Sequence, residues 1–126
     1  ELGHVNNQVY LAWFLGAATR HSDAVGWHLS KLVQMGEGWV VRRHEIEYLV
    51  PVLPGDTVTI RTWVETAEKV TSERHYEIYR KSDGKKACFG KTMWVWINYK
   101  TGRPSRIPQQ VIQDFVNFEP KEPLKW

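Results

Sequence analysis

The chain has 126 residues, of which 42% are hydrophobic and 25% are charged. This length suits one globular domain, and this composition excludes the disordered and collagen-like classes. Seventeen Lys and Arg against fourteen Asp and Glu give a net charge of +3. That excess is small and scattered along the chain, so we expect no nucleic-acid partner. We predict a single domain over residues 1–126.

Cysteine usage and hydropathy bear on the compartment. No run approaches the roughly 18 apolar residues of a membrane span, and the chain does not open with a signal-peptide pattern, so we expect no membrane partner. Cys88 is the only cysteine, so no intrachain disulfide can form, which is typical of a reducing compartment. We therefore expect a cytoplasmic location. The seven tryptophans are unusual, because tryptophan this frequent lines ligand pockets or subunit interfaces as well as cores.

The first predicted element is a helix from Gln8 to Gly26. Asn7 suits its N-cap, and Gly26 suits its C-terminal stop. Apolar residues cover two adjacent faces of this helix. They are Tyr10, Trp13, Phe14 and Ala17 on one face, and Leu11, Leu15 and Ala18 on the other. A helix with this much apolar surface is predicted to be buried on most sides.

Strands follow after a polar, glycine-containing stretch that ends at Gly38. The segment Trp39–Val50 is rich in β-branched and aromatic residues and ends at Pro51, and Thr57–Thr66 alternates apolar with polar residues. Ser72–Lys81 and Lys85–Tyr99 are two further strand candidates. The last two segments are predicted to form long antiparallel strands.

The ends of these last two strands carry turn signals. Ser82-Asp83-Gly84 joins them, and Asp-Gly is expected to supply the positive φ angles of a tight hairpin. Pro108 is expected to open a short helix that runs to about Val116, and the tail with Pro120 and Pro123 is expected to be extended. One buried helix followed by long antiparallel strands predicts an α+β fold in which one sheet wraps the helix.

Two sequence blocks resemble a known family. Residues 3–11 read Gly-His-Val-Asn-Asn-Gln-Val-Tyr-Leu, and residues 45–51 read Glu-Ile-Glu-Tyr-Leu-Val-Pro, followed by Gly55 and Asp56. Both blocks resemble the signatures of the 4-hydroxybenzoyl-CoA thioesterase family, a branch of the hotdog-fold proteins, and they lie at that family's usual spacing. Enzymes that act on acyl carrier protein share a similar His-Val-Asn-Asn run. The resemblance covers nearly the whole chain.

The resemblance implies a fold and an activity. The fold is a hotdog, an antiparallel β-sheet wrapped around one long central α-helix. The activity is hydrolysis of an acyl or aryl thioester of coenzyme A, or of acyl carrier protein, to free acid and thiol. We expect the protein to form a homodimer or homotetramer and to act in lipid metabolism. The size of the acyl group and the identity of the carrier stay open at this point.

The sequence departs from the family at its start. Family members carry a short first strand and an acidic residue three positions before the motif glycine, which here falls immediately before Glu1. We expect that strand and that catalytic aspartate upstream of residue 1. Glu1 is the alternative carboxylate, since it lies two positions before Gly3. A protein without either would favour the second hypothesis, a non-catalytic acyl-thioester-binding hotdog module.

The motif offers donors for the chemistry. Thioester hydrolysis needs an attacking water, a carboxylate to deprotonate it and donors for the oxyanion that forms on the carbonyl. First-turn N–H groups of a helix lack partners within the helix and lie at the positive end of its dipole, so the N–H groups of Asn7 and Gln8 are candidates for this task. The resemblance assigns the same task to a backbone N–H at this point.

The other motif side chains have a structural and a functional interpretation each. The amides of Asn6 and Asn7 either cap the helix or contact substrate or water. His4 either positions water or substrate or simply hydrogen-bonds the backbone. Tyr10 and Trp13 either fill the core or line the acyl pocket.

Two further candidates complete the set of site residues. Tyr48, the tyrosine of the second block, is predicted to contact the substrate, as Tyr10 is. Asp23 and His28 have the spacing used by the hydratase branch of hotdog proteins, which adds water to an enoyl thioester, although the residues that flank that motif are missing. His44 and Glu45 are adjacent on a strand, so they are expected to point to opposite faces and not to serve one site.

Several basic residues could contact coenzyme A phosphates, although Lys and Arg more often solvate a surface. They are Arg42, Arg43, Lys85, Lys86, Arg103 and Arg106. The sequence shows no metal-ligand cluster, phosphate-binding loop or Ser-His-Asp arrangement. The predicted chemistry needs no cofactor and no metal.

Overall fold

The structure is a computed structural model of the chain and describes residues 7–117 and 124–125. Its elements, in chain order, are α1 Asn7–Ala24, α2 Leu29–Met35, β1 Glu37–Tyr48, β2 Val58–Glu68, β3 Thr71–Arg80, β4 Lys86–Asn98, α3 Gln109–Asn117 and β5 Leu124–Lys125. The predictions for His4, Asn6, Pro120 and Pro123 lie outside the described residues. None of the described helices is long and apolar enough to cross a bilayer.

A single antiparallel sheet carries α1 on one face. The strand order is β1-β4-β3-β2-β5, and every pairing is antiparallel. The predicted α+β hotdog fold is therefore confirmed. β1 forms one edge of this sheet, and the two-residue β5 pairs with β2 at Thr59 and Ile60.

Contacts between α1 and the sheet are close. Phe14 stacks on Tyr76 of β3 with ring centroids 4.3 Å apart. Gly90 of β4 makes room for this contact, because a Cβ there would lie 2.8 Å from Phe14 Cε2 and would collide with the Glu45 carbonyl oxygen of β1. A side chain at position 90 would push α1 off the sheet.

The boundaries of α1 differ slightly from the prediction. The helix already includes Asn7, the residue predicted as its N-cap, and ends at Ala24 rather than Gly26. Gly26 has a φ of +88° and its N–H donates to Asp23 O at 3.1 Å, while the Trp27 N–H donates to Ser22 O at 2.9 Å. This is a Schellman motif, so the glycine acts as the predicted stop but lies just outside the helix.

One element was missed and one prediction was wrong in detail. No element was predicted in the polar stretch that ends at Gly38, but Leu29–Met35 forms α2, which ends at the left-handed Gly36. The prediction of a tight hairpin was wrong in detail. β3 ends at Arg80 and β4 begins at Lys86, so a loop of five residues joins the two strands. Gly84 alone in that loop has a positive φ, and Asp83 instead uses its carboxylate to accept from the Lys85 N–H at 3.1 Å.

The buried residues form two clusters. The first lies between the N-terminal part of α1 and the middle of the sheet and includes Tyr10, Phe14 and Tyr76. The second lies where α2 and α3 cover the sheet and includes Trp27, Trp96 and Phe115. α3 begins at Gln109, one residue after the predicted Pro108. The two ends of α1 therefore pack into different surroundings.

Candidate active site

The first candidate site is the N-terminal end of α1. The helix begins at Asn7, so the backbone N–H groups of Asn7 and Gln8 belong to its first turn. The Gln8 side chain is exposed, whereas Tyr10 points into the core. The helix dipole places partial positive charge at this end, which suits a carbonyl oxygen that gains negative charge.

Three predicted substrate contacts come together one turn further on. Tyr10 packs edge to face against Trp13 at 5.4 Å and against Tyr48 at 5.1 Å between ring centroids. Tyr10 is buried, and its hydroxyl accepts a hydrogen bond from the Val52 N–H at 3.0 Å. Tyr10 thus holds the chain that follows β1 against α1, and the more exposed Trp13 and Tyr48 offer the aromatic surface beside the helix start.

Two ionisable side chains in or beside this aromatic cluster, Tyr48 and Cys88, are neutral at pH 7. Burial, together with the neighbouring Cys88 and Tyr10, raises the pKa of Tyr48. Burial also raises the pKa of the Cys88 thiol to about 12, so this cysteine is protonated at neutral pH and is a poor nucleophile. Neither Tyr48 nor Cys88 therefore places a charge beside an acyl group bound there.

A cavity of about 370 Å³ opens at the other end of α1. It lies between the C-terminal half of α1, α2 and the inner face of the sheet. Its walls include Trp27, Leu32, Trp39, Val64 and Phe115, and one charged side chain on the sheet, Arg74. Arg74 was not singled out from the sequence. The alternation of Ser72, Arg74, Tyr76 and Ile78 along β3, all four buried, is the signal that could have placed it inside.

His21 lies near the same end of α1 and was also missed. It is buried and packs edge to face on Phe115 with ring centroids 5.1 Å apart. Burial, and secondarily the nearby Arg74, lowers the pKa of His21 to about 4. His21 is therefore neutral at pH 7.

The remaining sequence candidates are resolved by their contacts. His28 Nδ1 and Asp23 Oδ1 lie 3.0 Å apart, so the hydratase-like spacing does bring these two side chains together, at the rim of the cavity rather than at the helix start. His44 Nδ1 lies 2.9 Å from Oγ1 of the buried Thr92. Glu45 instead pairs with the exposed Arg43 at 2.6 Å. The prediction that His44 and Glu45 point apart is confirmed.

Two of the basic residues considered for coenzyme A are paired within the chain. Arg43 contacts Glu45, and Lys86 Nζ lies 2.7 Å from Glu77 Oε2. Among residues 7–117 and 124–125, no three His, Cys, Asp or Glu side chains gather as metal ligands would.

This architecture, one long helix packed on an antiparallel sheet, is that of the hotdog fold. The chain belongs to the family of acyl-ACP thioesterase N-terminal domains, where ACP is acyl carrier protein, and the family model matches residues 3–115. The predicted relationship to hotdog thioesterases is confirmed.

Relatives and solved structures agree with this assignment. A chloroplastic acyl-(acyl-carrier-protein) hydrolase of Cuphea viscosissima is 32% identical over 80 residues, which are 64% of this chain and 19% of that protein. A chloroplastic palmitoyl-acyl carrier protein thioesterase of Arabidopsis thaliana is 32% identical over 88 residues, 65% of this chain and 21% of that protein. The chain spans about a fifth of the length of these curated relatives.

Among solved structures, a Thermus thermophilus thioesterase complexed with coenzyme A and Zn is 28% identical, with a TM-score of 0.75 over 90% of this chain and 80% of that chain.

Proposed function

We propose that the protein hydrolyses an acyl or aryl thioester of coenzyme A or acyl carrier protein. The observation that carries this proposal is that α1 begins inside the predicted motif, at Asn7, with the aromatic wall of Trp13 and Tyr48 beside its first turns. A thioester whose carbonyl oxygen lies at the helix start can place its acyl group on that wall. Membership of the acyl-ACP thioesterase family supports the same reaction.

The reaction follows from the groups at this end of the helix. The N–H groups of Asn7 and Gln8 donate to the carbonyl oxygen and stabilise its negative charge as water attacks the carbonyl carbon. A carboxylate takes one proton from that water, and the resemblance places this carboxylate three positions before Gly3. The new C–O bond forms, the C–S bond breaks, and the leaving thiolate takes up the proton that the carboxylate removed from the water. Acid and thiol are the products.

The proposed substrate is a phosphopantetheine thioester, the group that coenzyme A and acyl carrier protein have in common. The family and the curated relatives favour acyl carrier protein, and the Thermus thermophilus thioesterase complexed with coenzyme A favours coenzyme A. Both carriers present the same thioester to the helix start. We further propose a cytoplasmic location, which the single cysteine favours.

The test is thiol release from a panel of short, long and aromatic thioesters on both carriers. We expect turnover of at least one thioester, and saturation with it. Absence of turnover throughout the panel, together with measurable binding of a thioester, would instead support the second candidate, an acyl-thioester-binding module. Absence of both binding and turnover would contradict both candidates.

We also propose that two copies pair through β1 and that the partner's strand completes the acyl site. β1 forms a sheet edge, and Val40 and Val41 on it are 37% and 39% exposed. A long edge strand with exposed apolar residues favours pairing with a second strand, and a two-fold axis would make the contact self-complementary.

Sedimentation at micromolar concentration is expected to show a dimer or a tetramer. Val41→Asp is expected to shift it to monomer, because a carboxylate would be buried in the new strand pair. Val33→Asp is the matched control, since Val33 is 60% exposed and lies on α2 rather than on the strand that would pair. A wild-type protein that sediments only as monomer would exclude this arrangement.

A further inference from the structure

Two loops at one end of the sheet carry a cluster of exposed cations, the basic cluster. Its members are Lys69 in the β2–β3 turn and Lys100, Arg103 and Arg106 in the loop that joins β4 to α3. Backbone hydrogen bonds fix both loops. The Ile107 N–H donates to the Lys69 carbonyl oxygen at 2.8 Å, and the Asn98 N–H donates to the Arg103 carbonyl oxygen at 2.9 Å. The four side chains are therefore presented together from a fixed backbone.

The charge of the basic cluster is not compensated by ion pairs. Within the described part of the chain, no carboxylate oxygen lies within 4.0 Å of a side-chain nitrogen of these four residues. The nearby segments 36–37, 68–70 and 98–107 contain two carboxylates, Glu68 and Glu37, and Glu37 already accepts from Trp96 Nε1 at 2.9 Å. By contrast, ion pairs link charged side chains of β1, β3 and β4. An unpaired basic surface favours an acidic partner.

Within one copy, the basic cluster lies far from the proposed thioester site. β1 connects the two: Glu37, its first residue, pairs with Asn98 beside the cluster, and Tyr48, its last, packs on Tyr10 near the start of α1. At about 3.3 Å per residue, β1 spans about 36 Å between these residues. A phosphopantetheine arm has the backbone length of about four to five residues, so it reaches about 16 Å. An arm of that length does not connect the cluster to the helix start of the same copy.

Pairing of two copies through β1 shortens this distance. A two-fold axis normal to the sheet makes the two β1 strands antiparallel, so the start of β1 in one copy lies beside the end of β1 in the other. The helix start of the second copy then lies at the same end of the joint sheet as the basic cluster of the first. The loops of the cluster extend from β4 and β3, which are two and three strands away from β1 of the second copy. At about 4.8 Å per strand, the lateral separation is about 10 to 14 Å, which the arm spans.

We propose that the basic cluster of each copy docks an acidic face of the protein that carries the thioester, while the thioester enters the helix start of the other copy. This inference rests on the proposed function and on the proposed pairing through β1. Complementary charge across such a contact speeds association and orients the carrier. Arg103 and Arg106, which the sequence suggested for coenzyme A phosphates, are thereby assigned to a protein carrier. Coenzyme A has no protein face, so its thioesters are expected to depend little on the cluster.

Charge reversal by Lys100→Glu together with Arg103→Glu tests the docking surface, with one acyl group presented on acyl carrier protein and on coenzyme A. At low ionic strength, we expect the KM for the carrier protein thioester to rise about ten- to a hundred-fold, and kcat and the KM for the coenzyme A thioester to change less than about two-fold. Lys81→Glu together with Lys85→Glu is the matched control. It lowers the net charge equally, in the exposed β3–β4 loop at the other end of the sheet, and should raise the KM at most about three-fold.

Binding measured without turnover separates this inference from the proposed function. Calorimetric titration with acyl carrier protein that carries a free phosphopantetheine thiol needs no hydrolysis. Binding by the wild type that the Lys100 and Arg103 reversals abolish would support docking even where no thioester is hydrolysed. Absence of wild-type binding, or equal affinity and equal KM in the wild type and this variant, would overturn the proposal. A KM that rises only with the Lys81 and Lys85 reversals would also overturn it.

A mixed dimer tests whether docking and hydrolysis use different copies. One copy carries Asn7→Pro, which removes a proposed oxyanion donor, and the other carries the Lys100 and Arg103 reversals. In the proposed arrangement, the intact helix start of the second copy is served by the intact basic cluster of the first. The purified mixed dimer is therefore expected to keep about half of the wild-type kcat/KM for the carrier protein thioester, while both parent homodimers are impaired. A mixed dimer as impaired as its parents would show that one copy performs both tasks and would overturn the arrangement.

Discussion

Replacement of Asn7 by proline is expected to lower kcat/KM for thioester hydrolysis by about 10²- to 10³-fold, the usual cost of losing one oxyanion donor. Asn7 is the first residue of α1. Proline is tolerated at the first helical position, because its missing N–H has no partner within the helix and its fixed φ suits a helix. The substitution therefore removes a proposed donor while the helix is retained.

Asn7→Ala is the matched control, because it removes the same side-chain amide and keeps the N–H. We expect it to lose at most several-fold in kcat/KM, together with a modest loss of stability if the amide caps the helix. The two variants separate the backbone from the side chain. Circular dichroism and the thermal midpoint establish that Asn7→Pro is folded.

The comparison has two outcomes that would contradict the proposed role. Equal, large losses in both variants would assign the function to the Asn7 amide and not to its N–H. Unchanged rates in Asn7→Pro would place the carbonyl elsewhere. A carbonyl bound beside Asp23 and His28 would favour the hydratase chemistry that their spacing first suggested.

The sequence predicts those parts of the fold that depend on local pattern. The central helix was predicted because apolar residues cover two of its faces, and β2 because Val58 and Ile60 alternate with polar residues. α2 was missed because only Leu32 of its seven residues is buried, so its stability depends on contacts with the rest of the chain rather than on an apolar face of its own. The hairpin failed in detail because Asp83 serves as an acceptor for the loop and does not adopt a positive φ.

The candidate site was predictable in part for the same reason. The motif placed Tyr10, Trp13 and Tyr48 as possible substrate contacts, and the fold brings them together, but a pattern of residues does not show that the Tyr10 hydroxyl binds the Val52 N–H across 42 positions. The roles of His4 and Asn6 stay predictions. Arg74 and His21 were missed because burial at their positions depends on how α1, α3 and the sheet meet, which a local pattern does not show.

The burial of His21 is expected to make the protein's stability depend steeply on pH between about 6.5 and 4. The pKa of His21 is 6.5 in the unfolded chain and about 4 in the folded protein, because burial, and secondarily Arg74, disfavours the charged ring. Between these values the unfolded state binds more protons, so the stabilising contribution is complete above pH 6.5 and is lost as the pH falls towards 4. A difference of this size corresponds to about 3 kcal/mol of unfolding free energy.

Urea denaturation of the wild type and of His21→Gln at several pH values between 7.5 and 4 measures this contribution. Carboxylates titrate in both proteins, so the difference between the two curves isolates His21. Between pH 7.5 and 4, the variant is expected to lose about 3 kcal/mol less unfolding free energy than the wild type, even if it is less stable at pH 7. Parallel curves for the wild type and His21→Gln would show that His21 is not held neutral by the fold, and that the end of α1 is open to water.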